Sequence, residues 1–94
     1  MRTIPKDPDA VLDFAFDWNN TEVGEWLQAG EIITSYEVTV AEGITKDSDS
    51  ESSGIVTVWL SGGTEGVAYR IECEIHTSRG RRDERSMLIY CEER

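Results

Sequence analysis

Ninety-four residues with a 38% hydrophobic share and a formal charge of -10 suffice for one thin, well-patterned core and exclude a second. No run approaches the ~18 to 20 apolar residues of a membrane span, and the opening Met1-Arg2-Thr3-Ile4-Pro5 lacks the apolar stretch of a secretory signal, so synthesis in a cytoplasm is expected. Thirteen acidic and three basic residues precede Arg70, whereas six of each follow from there on; one strongly negative surface is expected, which argues against nonspecific binding to nucleic acid or an anionic membrane.

Residues 1 to 10 contain Pro5 and Pro8 and few apolar side chains. They predict an extended arm rather than a central strand, and a candidate docking tail in which Ile4 and Pro5 are the contacts. The remaining residues, 11 to 94, are expected to form a single β-sandwich. In Val11-Leu12-Asp13-Phe14-Ala15-Phe16-Asp17-Trp18, the residues Leu12, Phe14, Phe16 and Trp18 share one face and Asp13 and Asp17 the other, which predicts the first strand. Asn19-Asn20-Thr21 can cap a short helical turn over residues 22 to 29, with Gly30 closing it. A helix so short is held by packing, so Trp26 and Leu27 are expected to plug one end of the sandwich.

Residues 31 to 40 place Ile32, Tyr36, Val38 and Val40 at period two, with Ser35, Glu37 and Thr39 toward water. A polar strand or loop over residues 44 to 53 precedes an apolar strand, 54 to 60, for which alternation leaves either face as the buried one. Ser61-Gly62-Gly63-Thr64-Glu65-Gly66 then predicts a hairpin turn into residues 67 to 77, where apolar and charged residues alternate. Ser78-Arg79-Gly80-Arg81-Arg82 is a basic loop, and residues 83 to 94 return with Met87, Ile89 and Cys91 inward and Leu88 and Tyr90 on the opposite face. Six or seven short strands at this spacing, with one helical turn, predict an all-β antiparallel sandwich of immunoglobulin or fibronectin type III kind.

Residues that carry chemistry are sparse. The single His76 lies on a polar strand face without a partner at ligand spacing. Asp47, Asp49 and Glu51 alternate as in a calcium loop, but the glycine falls at Gly54 and no bidentate Glu follows at the required distance. No metal or other cofactor is expected. The glycines of residues 61 to 64 lack the following Lys and helix of a phosphate loop. Cys73 and Cys91 sit in apolar strand patterns and read as buried free thiols, with a disulfide across a terminal hairpin as the alternative.

Val58-Trp59-Leu60-Ser61-Gly62-Gly63-Thr64, then Gly66, Tyr69, Gly80-Arg81 and Asp83-Glu84-Arg85-Ser86, together with Lys6-Asp7-Pro8, the strand from Leu12 to Trp18, Trp26-Leu27, Gly30-Glu31 and Ile33, resemble a family of small tailed-bacteriophage proteins described as fibre–tail adaptors. The resemblance implies a β-sandwich accessory protein of the virion that contacts other phage virion proteins, with a homo-oligomer within the particle as one arrangement. Nothing in the residues supplies a nucleophile with its base, so no enzymatic activity is expected. A capsid decoration protein and a neck component are the alternative stations in the particle. Two other classes are an acidic DNA mimic that occupies a host enzyme's basic groove, and a carbohydrate binder using exposed aromatics. Docking is expected through the arm, through Arg79, Arg81 and Arg82, which can pair with a neighbour's carboxylates, and through the Leu88 and Tyr90 face.

Overall fold

The computed structural model describes residues 2 to 19 and 26 to 93. Seven strands follow in chain order: β1 (Arg2–Lys6), β2 (Leu12–Asp17), β3 (Ile33–Val40), β4 (Ile44–Ser52), β5 (Ile55–Gly62), β6 (Ala68–Thr77) and β7 (Arg82–Cys91). They form a four-stranded sheet in the order β1-β7-β6-β3 and a three-stranded sheet in the order β2-β5-β4. The inner faces of the two sheets enclose one core of Phe14, Phe16, Trp18, Val56, Val58, Leu60, Ile71, Cys73, Ile75, Met87 and Ile89 among others. Strands β2, β5 and β6 and the second half of β7 alternate in phase with their burial, the signature of a sheet with one dry face.

Residues 2 to 6, expected as a docking arm, form edge strand β1, paired in parallel with the chain's own β7 from Arg2 opposite Met87 to Lys6 opposite Cys91. Pro5 is tolerated there because an edge strand need not donate every N–H to a ladder. The helical turn expected over residues 22 to 29 lies partly outside the described residues, and its described part, Trp26 to Gly30, is bend and turn. Leu27 is nonetheless buried, and Trp26 packs against the core. Here Trp18, buried completely, donates its indole N–H to Asp83 at 2.9 Å.

Two expectations are corrected. The 61–66 segment is not a hairpin turn: β5 pairs with β2 and β4, and β6 with β7 and β3, so the chain arches from one sheet to the other. The inward residue at the start of β3 is Ile33 instead of Ile32, which is 62% exposed, because a bulge between Ile33 and Ser35 shifts the phase. Cys73 and Cys91 are buried free thiols, and the hairpin alternative fails on register. Cys73 lies opposite Arg85, six residues along β7 from Cys91, or roughly 20 Å at strand rise.

The open sides between the sheets are tied by side chains. Tyr36 of β3 donates its hydroxyl to Asp49 of β4 at 2.8 Å, and Lys46 pairs with the same carboxylate at 2.8 Å. Lys46 holds the Asp49 carboxyl below the usual range, with Tyr36 adding to the effect, and Asp49 in turn raises the Tyr36 hydroxyl. Across the opposite side, Arg2 of β1 donates to the Ala15 carbonyl of β2 at 3.1 Å. Asp47, by contrast, accepts from Ser61 and Glu51 from the Gly54 amide. The three alternating carboxylates of β4 therefore share no partner.

Candidate docking surfaces

The molecule is 42 Å along its longest axis, and its strand ends define two tips. At one tip lie residues 18 to 32, the 53–54 turn and the 78–81 loop. Arg81 there donates Nε to Glu31 at 2.9 Å and Nη2 to the Trp26 carbonyl at 3.0 Å, while its guanidinium lies 4.0 Å over the Trp26 ring. Glu31 has no exposed side-chain surface and also accepts from the Gln28 amide and the Thr77 hydroxyl. The Arg81 hydrogen bonds hold its carboxyl at about 2, against the upward push of burial. Arg79 donates to the Ala29 carbonyl at 2.8 Å. Two of the three arginines expected to reach a partner are thus fastened to residues 26 to 31, and only Arg82 is exposed without a hydrogen bond or ion pair among the described residues.

On the outer face of the four-stranded sheet, register places Pro5 beside Tyr90 and Tyr90 beside Ala68; Thr3, Leu88 and Arg70 form the next row. Tyr90 is exposed and Leu88 half-buried. Ile4 has the opposite phase, opposite Ile89, and packs against the core. The structure therefore brings Pro5, Leu88 and Tyr90 together and leaves Ile4 inside and the arginines at the other tip. Further along this face Glu37, Glu74 and Glu84 align across three strands. Glu74 meets His76 at 3.1 Å, which makes His76 a partly solvated strand residue beside a carboxylate. The outer face of the other sheet exposes a lone aromatic, Trp59, between Asp13 and Ser48.

The second tip gathers residues 7 to 11, 41 to 43 and 63 to 67 and the end of β7. Alternation marks Lys6 only as a polar residue of the arm, yet it is fully buried, donating Nζ to the Gly62 carbonyl at 2.8 Å and to that of Asp7 at 2.9 Å. Glu92 and Gly66 add backbone bonds to Lys6 and Cys91, and Cys91 one to Val67. Tyr69 accepts the Thr64 amide at 2.8 Å. Gly63 has φ +98°, and a Cβ there would overlap the Cys91 sulfur. The Trp59-to-Thr64 run is thus the strand end and arch that this tip is built on.

Fold and surfaces together define a small all-β protein of two stacked sheets in which buried or partly buried ionisable residues, Lys6, Glu31, Asp49 and Arg81 among them, tie strands and loops to one another. The chain belongs to the family described as podophage GP4 fiber-tail adaptor protein gp77, whose model matches residues 6–90. No curated protein matches the chain.

Proposed function

We propose that this chain is a single-domain, non-enzymatic structural component of a phage virion, made in the host cytoplasm and docked as an adaptor on other tail proteins. The family match across residues 6–90 carries this reading, because it takes in all the strands except most of β1 and the last residue of β7, with the loops that join them at both tips. Side-chain chemistry supports it. Glu31, Asp49 and Arg81 are spent on internal contacts, and burial pushes the Cys73 thiol up to about 12, far from a nucleophile poised at neutral pH. We also infer an immunoglobulin-type arrangement: the orders β2-β5-β4 and β7-β6-β3 correspond to strands B-E-D and G-F-C of that sandwich, with the first strand moved beside the last.

A phage lacking this gene tests the proposal. Its particles should carry tails without fibres, and adding the purified chain should restore fibre attachment in electron micrographs. Normal fibre occupancy without the protein would refute the adaptor reading; loss of capsid integrity instead would assign the chain to decoration.

A further inference from the structure

The two tips close the core differently. At the first, Trp18, Leu27 and the Arg81–Trp26 stack cover the strand ends. At the second, Leu60, Tyr69 and Cys91 are buried, but two apolar side chains of inward phase beyond them stay partly exposed. Leu12 has the inward phase of Phe14 and Phe16 and lies opposite the buried Leu60, yet it is 40% exposed. Val67 precedes Tyr69 and Ile71 in the inward phase and is also 40% exposed. Val11, beside Leu12 in the outward phase, is more open still, and Tyr90, next to the last residue of β7, is exposed on the outer face of the four-stranded sheet one row away. Four of the six large apolar side chains exposed among the described residues therefore collect at this one end, where scattered single exposures would need no explanation.

The surrounding loops are charged with a single sign. Residues 7 to 11, 41 to 43, 63 to 67 and 92 to 93 hold six carboxylates and no Lys or Arg; of the lysines in the adjoining rows, Lys6 is buried on carbonyl oxygens and Lys46, opposite Leu60, is paired with Asp49. The loops are also stitched to one another by the Lys6, Gly66, Tyr69 and Cys91 hydrogen bonds, so that docking need not first order them.

We propose that this tip is the surface by which the adaptor docks, and that its occupant is a tail or fibre protein presenting an apolar side chain ringed by Lys and Arg. The partner's apolar group completes the core over Leu12 and Val67. Its cations face the carboxylate rim, in particular the exposed Glu42 and Glu65, and electrostatic complementarity of this kind sets encounter rate and partner choice. A second copy of the chain offers no such ring at this tip, since the same surface would oppose acid to acid. The inference rests on the adaptor reading and names its surface.

Binding of the full chain to purified tails and to purified fibres, measured by titration, tests it. Leu12→Ser/Val67→Ser and, separately, Glu42→Lys/Glu65→Lys should each weaken binding at least about tenfold, whereas Arg79→Ala/Arg82→Ala at the other tip should bind as wild type. The charge variant alters only exposed side chains, so an unchanged melting temperature certifies its fold. Its deficit should shrink as salt rises from about 0.05 to about 0.5 M, while that of the apolar variant persists. Failure of the wild-type chain to bind either partner defeats the adaptor reading itself. Wild-type binding that survives both tip variants overturns the inference alone, as does loss of binding in the arginine variant. Self-association of the isolated chain that the tip variants abolish, with tail and fibre binding intact, overturns it in favour of a second copy.

Discussion

Ile75→Ala measures whether the strand phase and the shared core are as described. Ile75 has no exposed surface and lies on β6, an interior strand of its sheet, between Tyr36 of β3 and Asp83 of β7, where strands hydrogen-bonded on both sides cannot easily collapse inward. Truncation removes three carbons, worth about 2.4 kcal/mol at ~0.8 kcal/mol each, and incomplete collapse of the cavity brings the loss to about 3 to 4 kcal/mol. Against a total of roughly 5 to 15 kcal/mol for a domain of this class, that is a large share. At about 4 to 8 °C per kcal/mol, the melting temperature should fall by more than about 10 °C. Urea unfolding followed by circular dichroism gives the free energy directly, and the slope with denaturant should not change. Ile32→Ala, at a side chain 62% exposed, should stay within about 0.5 kcal/mol of wild type. A loss at Ile75 below about 0.5 kcal/mol would mean that β6 is paired one residue out of register, with its apolar face toward water.

Glu31→Gln should lower the melting temperature at neutral pH by removing the charge to which Arg81, stacked on Trp26, is hydrogen-bonded. Because the Glu31 carboxyl is lowered from 4.5 to about 2, its contribution is full above about 4.5 and is lost as pH falls toward about 2; the gap between wild type and variant should close over that window, and a gap constant with pH would refute the assignment. Neither thiol should react with an aromatic disulfide reagent at pH 8 in the folded protein, and both should react in urea, since Cys73 and Cys91 are buried. Stoichiometric labelling on mixing would contradict that burial. Gly63→Ala should cost more than about 1 kcal/mol, and adding Cys91→Ala should recover only part of it, because the sulfur overlap is relieved while φ +98° remains; full recovery would show that the backbone is not strained.

Period-two alternation determined most of the core without any structure. Phe14, Phe16, Val38, Ile71, Ile75, Met87 and Ile89 are inward because a sheet with one dry face admits no other phase, and the absence of a third layer follows from chain length. Leu27 as an end plug was legible from hydrophobicity next to a turn. Sheet membership was not. A glycine-rich reversal such as residues 61 to 66 serves a hairpin or an inter-sheet arch equally well, and only the pairing of β5 with β2 and β4 decides for the arch. Bulges are equally silent in sequence, so Ile32 and Ile33 exchanged places. Arg79, Arg81 and Arg82 read as one basic loop, yet Glu31, some fifty residues away in the chain, claims Arg81 through a contact of high sequence separation. Lys6 is buried although its neighbours advertise a solvated arm, because β7 leaves an edge for it to pair with and the Gly62 and Asp7 carbonyls to satisfy it. The apolar character of Leu12 and Val67 was written in the chain, but their exposure was not: alternation gives a residue's phase, and whether its strand end is covered depends on which loops meet there.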